Sequence, residues 1–123
     1  MYITLREALK DFLKEHDLTL DEVLDLMDEE DRDSLRASLL KRISITEKEL
    51  RALEQNYTAR QLNLLILAIQ IFYLSNPSGL YKGRLIWPLR DEVVGEDGRI
   101  SSQGLRLILK SLGLRPRWAT TAL

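Results

Sequence analysis

The sequence contains no cysteine and only one histidine, His16, among its 123 residues. The lack of cysteine excludes disulfide bonds and thiolate metal sites, and one histidine leaves a transition metal without its usual set of ligands. Glycine-rich phosphate-binding loops and Ser/His/Asp arrangements are also missing. We therefore expect no enzyme activity, no cofactor and no metal site, and we interpret His16 as a surface residue near the end of a helix.

Long hydrophobic segments are missing as well. The longest apolar run, residues 62–74, contains Asn63 and Gln70 and is shorter than the ~20 residues that a membrane-spanning helix needs. Charged residues also interrupt the first ten positions, which is unlike a signal peptide. Together with the lack of cysteine, this pattern predicts a cytoplasmic protein with no membrane partner.

Charge is plentiful but unevenly distributed along the chain. Residues 11–33 contain eleven acidic and two basic residues, a net charge of −9, whereas residues 34–123 contain seven acidic and fourteen basic residues, a net charge of +7. Such segregation predicts two surfaces with different partners, unless the acidic run pairs with the basic part of the chain inside the molecule.

The pattern of caps and apolar residues predicts an all-α protein. Four threonines each precede a glutamate or glutamine by three positions, which is typical of a capped helix start. The four pairs are Thr4/Glu7, Thr19/Glu22, Thr46/Glu49 and Thr58/Gln61. Apolar residues with helical spacing follow these caps, and a further helix is expected after the acidic turn. Residues 59–74 are apolar on nearly every side, so we expect this helix at the centre of a compact multi-helix bundle.

Pro77 marks the clearest boundary, because proline ends a helix and restricts the residue before it. We expect an N-terminal helical bundle over residues 1–76 and a C-terminal helical segment over residues 77–123, packed together as one domain. Residues 84–87 fit either a brief strand or the approach to a short helix that begins at Pro88. A helix capped by Ser101 or Ser102 should follow and end at Gly113.

Gly113 also fits the turn of a helix-turn-helix. Ile108 and Leu112 before it, and Leu114 after it, have the spacing by which two helices pack across such a turn, and Pro116 suits the start of the second helix. The order of a short helix, "DGRIS", a helix, "LGL" and a proline-led helix resembles the N-terminal winged-helix domain of leucine-responsive regulators. The resemblance covers about the last forty residues. It implies that Arg115, Arg117, Thr120 and Thr121 contact duplex DNA.

The charge of this segment agrees with the resemblance, because residues 98–123 contain five basic residues and no acidic one. We therefore predict a small DNA-binding protein, such as a transcriptional regulator, that contacts DNA through a basic C-terminal helix-turn-helix. The predicted nucleic-acid-binding residues are Arg99, Arg106, Lys110, Arg115, Arg117, Thr120 and Thr121.

Two further patterns resemble known motifs. Residues 39–56, with Ser44 at the turn, resemble the helix pair of phage-repressor-type regulators. Three glutamates on its second helix would repel phosphate, so we interpret the pair as ordinary helix packing. Residues 96–113 resemble the second half of an EF-hand. Positions one, three and twelve of that loop should hold oxygen ligands, but they hold Val93, Gly95 and Gly104, which excludes a working calcium loop.

An alternative function is a helical protein-protein interaction module, such as an adaptor, an inhibitor or an assembly subunit. It would use the acidic face of residues 11–33 against a larger basic protein. The predicted contact residues are Asp21, Asp25, Asp28, Trp87 and Trp118, the two tryptophans as interface anchors. A homodimer is a further option, because a second copy could cover a nearly all-apolar fifth helix.

Overall fold

The computed structural model describes residues 2–29, 32–74 and 80–116. This part of the chain is mostly helical, which confirms the predicted helical class, with a small sheet in addition. The elements in chain order are β1 (Tyr2–Thr4), α1 (Leu5–Glu15), α2 (Leu20–Met27), α3 (Arg32–Arg42), α4 (Glu47–Asn56), α5 (Ala59–Leu74), β2 (Leu80–Tyr81), β3 (Arg84–Trp87), α6 (Arg90–Val93) and α7 (Ser102–Ser111).

The predicted caps begin the helices. The side chains of Thr4, Thr19 and Thr46 each accept a hydrogen bond from the amide three residues later. Thr58 and Gln61 bind each other reciprocally, at 3.1 Å and 2.8 Å. The first amides of a helix have no hydrogen-bond partner within the helix, and these side chains provide one. The helices therefore start where the pattern of threonine caps predicts.

α5 is the central helix, as its apolar sequence predicts. Helices α1, α2 and α3 all pack against it. Most of its side chains are buried on several sides, including Leu65, Ile69 and Phe72, and the polar Asn63 is only 2 % exposed. Because other elements cover α5 on several sides, both of its ends have fixed positions in the fold. Polar residues at each end make contacts with neighbouring elements.

Residues 84–87 form a strand, which decides between the two interpretations left open by the sequence. β3 lies in the middle of a three-stranded sheet, parallel to β1 and antiparallel to β2. Ile3 pairs with Ile86 in this sheet, and both side chains are buried. The N-terminal strand therefore joins the C-terminal segment to the first helices by backbone hydrogen bonds.

α6 and α7 pack closely because Gly104 has no side chain. A Cβ atom at this position would overlap the backbone of Val93 at the end of α6. α7 ends at a left-handed Gly113 (φ 72°), and the amide of Leu114 donates to the carbonyl of Leu109 at 3.0 Å. The predicted glycine stop of this helix is confirmed, and it sets the direction of the residues that follow.

Candidate nucleic-acid interface

α7 exposes two basic residues on one face. Its apolar residues Leu105, Ile108 and Leu109 are buried in the core. Arg106 and Lys110 are exposed and lie one turn apart. Since residues four apart are neighbours on a helix surface, the two cations point out from the same side of α7.

The turn at Gly113 adds a third cation to this face. Gly113 lets the chain reverse after α7, and Gln61 in the first turn of α5 donates to the carbonyl of Arg115 at 3.5 Å. Just before the turn, the carbonyl of Leu112 accepts a hydrogen bond from Arg6 of α1 at 3.0 Å. The backbone that positions Arg115 is therefore held from two neighbouring helices.

These three cations line one groove, which we call the α7 groove. Arg106, Lys110 and Arg115 form it together with Tyr57, Leu109, Gly113 and Leu114. No carboxylate is among these lining residues. The structure thus brings together three of the seven predicted nucleic-acid-binding residues around a partly apolar floor.

The cations of the α7 groove have no ion pair with any residue of the described ranges. Arg106 is near enough to Glu49 to lower the pKa of this carboxylate. The pKa of Glu49 is lowered, chiefly because the Ser102 hydroxyl donates to it at 2.7 Å, with smaller effects from Thr46 and Arg106. Glu49 is therefore held as a carboxylate by Ser102 and the Thr46 cap, and it forms no ion pair with Arg106.

Arg99 lies away from the α7 groove and has a different role. Its guanidinium donates to the carbonyl of Leu40 and, at 2.7 Å, to the carbonyl of Ile43, at the end of α3. These carbonyls have no partner within the helix, and a cation there also suits the helix dipole. Arg99 therefore connects the turn before α7 to α3 and is not among the residues that line the α7 groove.

The other predicted contacts of the helix-turn-helix, Arg117, Thr120 and Thr121, lie outside the described residues, as does Trp118. The second helix of the predicted motif falls on the same part of the chain. The described part contributes α7, the turn at Gly113 and the residues as far as Pro116.

The three predicted acidic contact residues bind within the molecule. Arg60, in the first turn of α5, lies 3.1 Å from Asp21, 2.9 Å from Asp25 and 3.2 Å from Asp28. The amide of Asn63 also donates to Asp28 at 2.7 Å. These three aspartates of the acidic run therefore pair with a basic residue of the same chain. Internal pairing is one of the two alternatives that the charge pattern predicts.

Trp87 is half-buried on β3, where its backbone takes part in the sheet. Its carbonyl accepts a hydrogen bond from the hydroxyl of Ser111 at 2.7 Å. Trp87 lies on β3, whereas Asp21 and Asp25 lie in α2 and Asp28 follows that helix.

Sequence reasoning missed Tyr57 as part of the candidate site. Its helical spacing after Leu50 and Leu53 indicates a core residue, and it is indeed buried, at 9 % exposure. The edge that remains accessible forms part of the α7 groove. Nothing in the sequence pattern distinguishes such a residue from one that is covered on all sides.

Comparisons with known proteins found no matching family model, no matching curated protein and no matching solved structure. Within residues 2–29, 32–74 and 80–116, no helix is both long enough and apolar enough to cross a membrane. The same ranges hold no group of three or more histidine, aspartate or glutamate residues arranged to bind a metal ion.

Proposed function

We propose that this protein binds duplex DNA through the α7 groove, with Arg106, Lys110 and Arg115 contacting the phosphate backbone. The observation that carries the proposal is the convergence of three cations on one groove, without an ion pair to any described residue. Lysine and arginine that neutralise phosphates release counterions, and this release supplies most of the sequence-independent affinity for DNA.

The groove gives affinity and orientation, whereas sequence reading needs contacts to base edges. In this proposal Arg117, Thr120 and Thr121 provide those contacts, as the resemblance to leucine-responsive regulators implies. A transcriptional regulator acting in the cytoplasm is the corresponding biological role. The proposal assigns no catalytic step to the protein.

The test is a titration of a fluorescent DNA duplex, followed by anisotropy at several salt concentrations. The triple variant R106Q/K110Q/R115Q should bind at least tenfold more weakly than the wild type. The plot of log affinity against log salt should also become less steep, by about 0.9 for each lost phosphate contact. The two readouts together separate lost phosphate contacts from a general loss of folded protein.

A matched variant controls for net charge. Lys14, Lys48 and Arg51 are exposed basic residues outside the lining of the α7 groove. K14Q/K48Q/R51Q removes the same charge and should keep both the affinity and the salt slope. Equal losses in the two triple variants would contradict a specific role of the groove.

Binding of a basic protein is a second candidate function, and one observation on α2 favours it. Leu26 is 64 % exposed, and the exposed Glu22 and Glu29 lie one turn to either side of it. This outer face is separate from the aspartates that bind Arg60, so those ion pairs leave it accessible to a partner. In affinity capture, the variant E22Q/L26A should lose basic proteins that the wild type retains, and an unchanged set would exclude this face as the contact.

A further inference from the structure

Tyr73, near the end of α5, lies beside two arginines from different helices. The guanidinium carbon of Arg42, the last residue of α3, is 4.6 Å from the centre of the Tyr73 ring. That of Arg90, the first residue of α6, is 5.6 Å from the same point. We call Arg42 and Arg90 the arginine pair. The ring attracts each cation, so both guanidinium groups lie beside one side chain.

Tyr73 itself is fixed in place and uncharged. Its hydroxyl donates to the carbonyl of Gly98 at 3.0 Å. The pKa of Tyr73 is raised above its ordinary value of 10.0, mainly by burial, although the charges of Arg42 and Arg90 oppose this shift. The phenol is therefore neutral at neutral pH and supplies no negative charge to the arginine pair.

The arginine pair has no carboxylate partner among the described residues, since neither member forms an ion pair there. Asp97 is near enough to influence Tyr73, but its side chain accepts a hydrogen bond from the amide of Arg99 at 3.0 Å. The two guanidinium groups carry like charge and form no ion pair with a described residue, so an anion that contacts both would be attracted by both.

A groove between α3 and α5 begins at Arg42. Its polar lining residues are Ser38, Lys41, Arg42 and Gln70, and its apolar ones are Leu39, Ile66 and Ile69. We call it the α3–α5 groove. It has no carboxylate in its lining and offers a second cation, a hydroxyl and an amide around an apolar floor.

We propose that the arginine pair binds the phosphoryl group of a phosphate monoester whose apolar organic part lies in the α3–α5 groove. Guanidinium groups present paired donors that match the oxygens of a phosphoryl group, and two of them can neutralise its charge. Lys41 adds a third cation at the groove, and Leu39, Ile66 and Ile69, each at most 5 % exposed, form the apolar floor against which the rest of the ligand would lie. This site shares no residue with the α7 groove and does not depend on the proposed DNA binding.

Isothermal titration calorimetry with phenyl phosphate and with inorganic phosphate tests the proposal on the full chain. Phenyl phosphate should bind at least tenfold more tightly than inorganic phosphate, because only the ester has an apolar group for the groove. R42Q/R90Q should weaken phenyl phosphate binding at least tenfold. R42K/R90K keeps both charges but loses the guanidinium fork, so its affinity should be intermediate.

Several results would overturn the site. These are no binding of either probe by the wild type, unchanged binding by R42Q/R90Q, and an equal loss in the charge-matched control K14Q/R51Q. Equal affinity for the two probes would exclude the groove as the place of the organic group.

A measurement of duplex DNA binding distinguishes this proposal from the proposed function. R42Q/R90Q should bind DNA as the wild type does, and a loss as large as that of R106Q/K110Q/R115Q would assign the arginine pair to the DNA surface instead.

Discussion

The hydroxyl of Ser111 accepts a hydrogen bond from the backbone amide of Leu5 at 3.0 Å, across 106 positions of the chain. It also donates to the carbonyl of Trp87 at 2.7 Å. Ser111 is only 7 % exposed and Leu5 is fully buried. One hydroxyl at the end of α7 therefore pairs with the amide of Leu5 at the start of α1 and with the carbonyl of Trp87 at the end of β3. These two hydrogen bonds position α7 against the rest of the fold.

Ser111→Ala should therefore destabilise the protein by about 1–3 kcal/mol, because it leaves a buried amide and a part-buried carbonyl without their partner. Urea unfolding followed by circular dichroism measures the change. Ser38→Ala is the matched control, since the Ser38 hydroxyl is exposed and binds only the carbonyl of Ser34 in its own helix. Similar stabilities for the two variants would contradict the role assigned to Ser111.

Local hydrogen bonds explain which parts of the fold the sequence predicts. The cap of Thr46 by Glu49 involves residues three apart, so the pattern contains both partners. β1 is different, because three residues are too few to show an alternating pattern and its partner strand begins at Arg84. The pairing is decided by contacts between distant segments, which no short window of the sequence contains.

The candidate site was predictable to a similar extent. Arg106 and Lys110 follow from helical spacing, and Gly113 predicts the turn that adds Arg115. The roles of Arg60 and Arg99 did not follow, because an arginine can bind any carboxylate or carbonyl that the fold brings near. Arg60 binds aspartates 32 to 39 positions away, and Arg99 binds carbonyls 56 and 59 positions away.

Arg60→Gln should lower the urea midpoint only slightly at low salt, although it removes three ion pairs. All four side chains are at least 41 % exposed, so water and salt already screen the interaction. The difference from the wild type should disappear in 1 M salt, where the Debye length is about 3 Å. A difference that persists at high salt would show that Arg60 acts by packing rather than by charge.

Ser102→Ala should raise the pKa of Glu49 toward its ordinary value of 4.5, because the Ser102 hydroxyl is the main cause of the lowered pKa. In the folded wild type this carboxylate has a lower pKa than in the unfolded chain. Its contribution to stability is therefore complete above pH 4.5 and is lost as the pH falls through the folded pKa. NMR titration of the Glu49 carboxyl in both proteins measures the shift. An unchanged pKa in the variant would assign the effect to the Thr46 cap instead.

Gly113→Ala should weaken both stability and DNA binding. Its φ of 72° is in the left-handed region, which costs a side chain such as alanine about 1–2 kcal/mol. Relief of this strain would move Leu114 and Arg115, so the third cation of the α7 groove would lose its position. Gly113→Asn is the matched variant, because asparagine adopts this conformation more readily. It should keep most of the stability and the DNA affinity. Weak DNA binding by the alanine variant, with normal binding by the asparagine variant and by R115Q, would show that the turn matters for a reason other than the placement of Arg115.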